Sequence, residues 1–275
     1  MIKGLNSLKI DIKRAFTSWG VIVGILGLIL AGLLGVLKEI IVVFLGQMGD
    51  TLPTGYSSQI ALSSLQTNVV LLVLPILAAL PFTSAFVDDH KNRYIREYLP
   101  RIGVRPYLFS RVISTALLGG LVLLLGVILL YCVFALLFSP LELAPQGIEA
   151  VTGSVSTVST EMINFNGQIT FVNLAERAFL FFLSGALWSL VGGLFATITM
   201  SKYMAYASPF IFYYVLVILS QRYFTNIYVL NPQEWLNPSE LWNAGIWGAV
   251  LFVSELIALL SIAYYAIMRR RLQDA

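Results

Sequence analysis

One short stretch of this 275-residue chain concentrates its ionisable side chains. It runs from Asp88 to Arg111 and holds nine of the 31 Lys, Arg, Asp and Glu residues, together with the only histidine, His90. One histidine cannot build a conventional zinc site, and a Ser–His nucleophilic pair would have to use a side chain surrounded by salt-bridging charges. A solvated loop histidine is the favoured interpretation. We therefore predict no catalytic residue and no metal site.

A second ionisable group of interest is Glu255, which lies inside an apolar run, thirteen residues from both Trp242 and Met268. Inserting a charge at such a depth costs about 2.5–3.5 kcal/mol, so we expect the carboxyl to face the bundle interior or a wet cavity. Two interpretations stay open. Glu255 is either a substrate or proton site, or a protonated or hydrogen-bonded packing residue.

The sequence contains neither the phosphate-binding loop G-x-x-x-x-G-K-[ST] nor the zinc motif H-E-x-x-H. Its single cysteine, Cys132, lies in an apolar run and is predicted to be a small buried hydrophobe. We therefore expect this chain to bind no cofactor and not to be an enzyme. The formal net charge of +3 gives no support to a nucleic-acid partner.

The elements that must position these residues are membrane spans. Hydrophobic residues make up 58% of the chain and charged residues 11%, against roughly 45–50% and about 25% in soluble domains. The mean hydropathy of +0.85 agrees. The composition predicts an all-α polytopic membrane protein, with residues 1–275 forming one domain of six transmembrane helices. Runs long enough to cross a bilayer core lie at Trp19–Leu37, Gln66–Val87, Val112–Phe134, Ala178–Thr199, Tyr203–Gln221 and Ala244–Met268.

Prolines mark the spans predicted to line a substrate path. Pro75 and Pro81 lie inside the second span and are expected to kink it. Pro209 predicts that the fifth span is either broken there or begins before it. A mobile hinge and a packed static bend both stay open for the second span, and the static bend is favoured. Together with Glu255, these three prolines are the substrate-path candidates.

The distribution of basic residues predicts the orientation of the spans. Fourteen of the seventeen Lys and Arg residues fall in four places on one side: the N-terminal segment, the charged stretch 88–111, the turn at 200–204 and the C-terminus. The positive-inside rule therefore places both termini in the cytoplasm. Apolar residues at three- and four-residue spacing over residues 1–18 predict an amphipathic interfacial helix. The 139–172 segment is then an extracellular loop, and Asn-Gly between two β-prone runs, 162–165 and 168–171, predicts a short hairpin in it.

Within the charged stretch, Asp88 and Asp89 suit a helix N-terminus. Four apolar or aromatic side chains, at Tyr94, Ile95, Tyr98 and Leu99, then form one stripe on a short helix, and Pro100 ends it. Such a helix fits a groove in a partner protein, although a helix resting on lipid remains an alternative. Arg111, at the base of the third span, is expected to extend to the membrane interface.

This arrangement resembles the membrane subunit of ABC exporters of the second type. The matching stretches are Ile2–Phe16, LPILAALPFTSAFVDDHKNRYIREYLPRIGVRPYLFSR (Leu74–Arg111) and NPQEWLNPSELW (Asn231–Trp242). The resemblance implies a homo- or heterodimeric permease in a plasma or inner membrane, with ATP and Mg bound by two separate ATPase subunits. The residues that it implies for contact with the ATPase are Asp88, Asp89, Arg93, Tyr94, Ile95, Arg96, Glu97, Tyr98 and Leu99.

Two other functions stay open. One is an ion-coupled secondary transporter or channel that uses Glu255 as its coupled carboxylate. The other is a sensory or immunity membrane protein that moves no substrate. The path walls are ordinary apolar side chains, so the substrate is not named by the sequence.

Overall fold

The computed structural model describes residues 9–14, 16–45, 55–92, 95, 99–100, 102–138, 167–224, 227–238 and 245–273. Within these ranges every regular element is helical and no strand occurs. Residues 9–14 are helical and are called the N-terminal segment below. The helices that follow are α1 (Trp19–Gly35), α2 (Leu37–Phe44), α3 (Tyr56–Leu65), α4 (Asn68–Ala79), α5 (Ala85–Lys91), α6 (Val104–Phe138), α7 (Gly167–Thr199), α8 (Lys202–Arg222), α9 (Pro232–Leu236) and α10 (Ile246–Gln273).

The chain is a multi-pass membrane protein. In the described residues, four helices are long and apolar enough to cross a membrane, namely α6, α7, α8 and α10. Two further pairs pass the same test only when each bent pair is taken as one span: α1 with α2, bent by 62°, and α3 with α4, bent by 65°. The structure therefore contains four to six spans by length and composition.

The first two predicted spans differ from the structure at their ends. The first was predicted to end at Leu37, but α1 ends at Gly35 and α2 turns away from it at Val36. The second predicted span ends as a helix at Ala79, and a turn over residues 80–84 separates it from α5. Pro81 lies in this turn, because a proline has no N–H to continue the helical hydrogen bonds. Pro75, in contrast, is accommodated inside α4.

The predicted outer hairpin is wrong in its second strand. Residues 168–171 lie in the first turns of α7, which begins at Gly167. The β-prone residues there lead directly into a long apolar helix, and this longer context overrides a local preference of a few residues. Residues 139–166, including the first predicted strand, lie outside the described residues.

α7 lies at the centre of the bundle and packs against α4, α6, α8 and α10. Its contact with α6 is close because both helices present glycine. A Cβ added to Gly185 would lie 2.5 Å from the backbone oxygen of Gly119, and Ser189 Oγ donates to the Thr115 carbonyl at 2.7 Å. In a membrane the hydrophobic effect does not drive helices together, so close packing at small residues and hydrogen bonds from hydroxyl groups hold such helices in contact. Cys132 of α6 is exposed, contrary to the prediction that it is buried.

One end of the bundle gathers most of the charged contacts. Lys202, at the start of α8, pairs with Asp88 of α5. Arg271, near the end of α10, donates to the Ile198 carbonyl of α7 at 2.5 Å. The N-terminal segment reaches the same end through Arg14 and Asp89. We call this the charged end. It brings together four regions that the sequence assigns to one side of the membrane.

Candidate functional site

A cluster of buried charges at the charged end joins three parts of the chain. It contains Asp11 and Arg14 of the N-terminal segment, Asp89 of α5, and Tyr107 and Arg111 of α6. Asp89 and Arg111 are each 1% exposed and Asp11 is 3% exposed. Buried charges are rare unless they are paired, so this burial defines the site. We call these five residues the ion-pair cluster.

Asp89 is the acceptor at the centre of the cluster. Its Oδ1 accepts a hydrogen bond from Arg14 Nη1 at 2.8 Å. Its Oδ2 accepts from Arg111 Nη2 and from the Tyr107 hydroxyl at 3.2 Å. Three donors on one carboxylate compensate for its removal from water. Asp89 therefore fixes the end of α5 to both the N-terminal segment and α6.

Asp11 supplies the second acidic group. Its Oδ2 accepts a hydrogen bond from Ser110 Oγ at 2.6 Å, and its Oδ1 lies 3.6 Å from Arg111 Nη2. Burial raises the pKa of the Asp11 carboxyl above its usual range, although Arg111 and the Ser110 hydrogen bond act in the opposite direction. One guanidinium thus holds two acids that come from opposite ends of the first hundred residues.

Arg111 is positioned by aromatic rings as well as by charges. Its guanidinium carbon lies 5.0 Å from the centre of the Phe82 ring and 5.3 Å from that of Tyr107. Both distances permit cation–π attraction, which is strongest where water is excluded. The expectation that Arg111 extends to the membrane interface is therefore wrong. Two carboxylates and two rings hold its side chain inside the protein instead.

The structure describes four of the predicted ATPase-contact residues. Asp89 is buried in the ion-pair cluster, whereas Asp88 is partly exposed and pairs with Lys202. Ile95 is 8% exposed and belongs to an apolar cluster around Tyr107, against which Leu99 also packs. These two residues of the predicted stripe contact the protein's own bundle. The other five predicted contacts, Arg93, Tyr94, Arg96, Glu97 and Tyr98, lie outside the described residues.

No known family profile, curated protein or solved structure matches the chain. The N-terminal segment, α5 and α6 are joined by ion pairs and hydrogen bonds that leave little freedom for one to move without the others. In the part of the chain that the structure describes, no group of three His, Cys, Asp or Glu side chains is placed to hold a metal ion.

Of the three prolines of the predicted substrate path, Pro209 and the turn that contains Pro81 lie close to each other, whereas Pro75 lies inside α4. A Cβ added to Gly192 of α7 would lie 3.1 Å from the Pro209 ring and 3.2 Å from the Thr83 methyl group. The turn that contains Pro81 and the buried proline of α8 therefore meet on one face of α7. A crevice of about 400 Å³ opens beside them, lined by α1, this turn and α8. Pro209 lies inside a continuous helix, so the fifth span begins before it.

Glu255 lies apart from this group. The side of α10 that packs into the bundle carries Ala249, Val253, Tyr264 and Met268. Glu255 is exposed on the opposite side. Its carboxyl therefore does not face the interior of the described bundle, and the other expected location, a wet cavity, stays a prediction.

Sequence reasoning missed Asp11 and the role of Arg111. The sequence position of each residue is nevertheless unusual. Asp11 is the one acid in an otherwise basic leader, and Arg111 is the last charge before a long apolar run. Neither signal names the other residue as a partner, because pairing across about a hundred residues depends on the fold.

Proposed function

We propose that this chain is the permease subunit of an ATP-driven exporter and that it belongs to the ABC exporters of the second type. In this proposal six spans cross a plasma or inner membrane, both termini lie in the cytoplasm, and two copies or two related chains enclose the path. Separate ATPase subunits bind ATP and Mg and press on the 88–111 segment.

The observation that carries the proposal is the burial of Asp89 in the ion-pair cluster. A segment that only rested on the membrane would need no fixed connection to the spans. Here the start of the segment is held by Arg111 at the base of α6 and by Arg14, five residues before α1. A displacement of the segment is thereby passed to two membrane helices at once.

The location of the path candidates supports the same proposal. The turn that contains Pro81 connects α4 to α5, which carries Asp89. Gly20 of α1 contacts this turn so closely that an added Cβ would overlap the Leu80 carbonyl. Movement of α5 would therefore reach the crevice between α1 and α8 through a short and tightly packed connection.

Copurification with an ATPase tests the partner assignment. The candidate is a Walker-motif ATPase encoded beside this chain, expressed together with it. Tyr94→Asp and Tyr98→Asp are expected to abolish copurification, because each would place a charge on the predicted docking stripe. Tyr223→Asp is the matched control, since Tyr223 is 73% exposed at the far end of α8. A complex and ATP-dependent transport that survive both stripe variants would refute the assignment.

A second experiment tests transmission separately from docking. Arg111→Lys keeps the positive charge but lacks the guanidinium fork that reaches both acids. We expect this variant to keep the ATPase bound while ATP no longer changes the separation of spin labels on Trp19 and Tyr203. Both residues are exposed, at 79% and 86%. An ATP response equal to that of the parent protein would contradict transmission through the cluster.

The alternative of an ion-coupled carrier that uses Glu255 receives no support from the location of that residue. Glu255 faces away from the crevice and from the proline group. Glu255→Gln discriminates between the two functions, because an ion-coupled carrier would lose transport and the proposed exporter would keep its ATP-dependent transport.

A further inference from the structure

α10 presents an unusual exposed face. Of the four long spans, it has the smallest buried share of its most apolar stretch. Its exposed side chains recur at three- and four-residue spacing and form one stripe along the helix. They are Trp247, Leu251, Ser254, Glu255, Ala258, Leu259 and Ile262. A carboxyl group in the middle of an apolar, outward-facing stripe distinguishes this face from ordinary lipid contact.

The position of Glu255 along α10 places it within the hydrocarbon. Arg269 to Arg271 mark one interface at the end of the span. About twenty residues of helix cross a core of roughly 30 Å, so the opposite boundary falls near Ala249. At about 1.5 Å per residue, Glu255 then lies roughly 9 Å inside that boundary. An ionisable group at this depth normally faces protein or water and pairs with another group.

The surroundings of Glu255 fit a neighbouring helix. Ser254 and Ala258 are small, four residues apart, and on the same stripe, which lets a second backbone approach closely. Beside the stripe, at Ile262, an apolar groove of about 470 Å³ runs between α6 and α10. A helix that lay along this face would cover Glu255 and border the groove.

Charge decides which helix fits. A second copy related by a two-fold axis along the membrane normal would bring Glu255 to the same depth as its own counterpart, and two acids repel. Within the described spans, Arg111 is committed to the ion-pair cluster and Arg177 lies at the outer end, where it donates to the Leu236 carbonyl. Arg222 ends α8, and Lys38 lies at the start of α2 beyond the end of α1, so neither lies at the depth of Glu255. A second copy therefore offers no cation at this depth. A helix from a different protein with a basic side chain there would neutralise Glu255.

We propose that the exposed face of α10 binds a transmembrane helix of another protein, and that a lysine or arginine of that helix pairs with Glu255. This interface lies on α6 and α10. It is separate from the crevice between α1 and α8, and it stands whether or not the chain is an ABC permease.

A model helix provides the test. The full chain is labelled at Cys132, its single and exposed cysteine, and reconstituted with a polyleucine helix that carries an acceptor dye. One helix has an arginine six residues from one end and the matched helix has leucine there. We expect energy transfer to show the arginine helix binding about 5- to 30-fold more tightly, as for polar contacts between helices in membranes.

Variants distinguish the contribution of the Glu255 carboxyl to helix binding from that of the other side chains on the stripe. Glu255→Gln should remove the preference for the arginine helix, whereas Leu259→Ala, on the same stripe, should keep it. Ala258→Phe should weaken binding while Glu255 is intact, because it blocks close approach. Equal binding of the two helices would overturn the proposal, as would a preference that survives Glu255→Gln. Self-association of the chain that depends on Glu255 and displaces the helix would also overturn it, in favour of a second copy.

Discussion

Replacing Arg111 by leucine should destabilise the protein far more than any change to a surface charge. The guanidinium is 1% exposed and is the buried counterion of Asp11 and Asp89. Without it, the two acids keep only Arg14, whose side chain is 49% exposed, as a nearby cation. Breaking a buried pair in this way costs about 3–5 kcal/mol, because a charge is left without compensation. This equals roughly a hundredfold to several-thousandfold change in the unfolding equilibrium.

The matched control is Lys202→Leu. Lys202 also forms an ion pair with an aspartate of α5, but its side chain is 49% exposed. An exposed pair contributes about 0–1 kcal/mol. Reversible unfolding in mixed micelles, followed by the fluorescence of the five tryptophans, measures both variants under the same conditions.

Combined neutralisation completes the experiment. If the cost of Arg111→Leu comes from uncompensated acids, adding Asp11→Asn and Asp89→Asn should restore most of the lost stability, since neutral side chains need no counterion. The reasoning is refuted if Arg111→Leu costs no more than Lys202→Leu. It is also refuted if the triple variant stays as unstable as the single one, because lost packing against Phe82 and Tyr107 would then be the cause.

Three further predictions concern packing and pH. Trp188→Phe should leave the free energy of unfolding nearly unchanged, because the indole N–H has no hydrogen-bond partner among the described residues. Trp188→Ala should lower it by about 3–5 kcal/mol, because the side chain is 1% exposed, and thermal unfolding compares the two variants. Gly119→Val should destabilise by at least about 1–3 kcal/mol, because its Cβ would overlap Ser189 of α7, whereas Leu136→Ala, at a residue that is 80% exposed, should change little in the same measurement. Because burial raises the pKa of Asp11, the contribution of Asp11 to docking of the N-terminal segment should be fully present below about pH 4, the usual aspartate value, and be lost as pH rises through the raised pKa. Hydrogen exchange measures this contribution, because the protection of residues 9–14 in the parent protein relative to Asp11→Asn should fall over that pH range.

The membrane helices could be read from the sequence where the signal is local. The fourth span was predicted to end at Thr199 and does so. The fifth was predicted at Tyr203–Gln221 and is found at Lys202–Arg222. Hydrophobicity over about twenty residues decides such elements, and no distant contact is needed. Gly20 and Gly24 of α1, four residues apart, allow close packing, since added Cβ atoms would overlap the turn after α4 and Val122 of α6.

The remaining features depend on contacts between distant parts of the chain. The bend at Val36 and the separate helix α3 have no proline of their own, and α3 packs against α6 and α4, which are distant from it in the sequence or separated from it by a turn. The hairpin prediction used a few β-prone residues that proved to lie at the start of α7. The ion-pair cluster could not be predicted, because the periodicity of apolar residues does not indicate that Asp11 lies beside Ser110 and Arg111. Two residues of the charged stretch that the sequence singled out, Asp89 and Arg111, belong to this cluster, whereas the contact of the stretch with an ATPase stays a prediction.

The pairing of Asp11 with Arg111 also sets an order for biosynthesis. About a hundred residues separate the two side chains, so the ribosome synthesises helices α1 to α5 before the partner of Asp11 is made. Until then Asp11 lacks the guanidinium that accompanies it in the folded chain. Translation that stops before residue 111 leaves this carboxylate unpaired in every product. An interrupted chain thus differs chemically from a finished one at its eleventh residue.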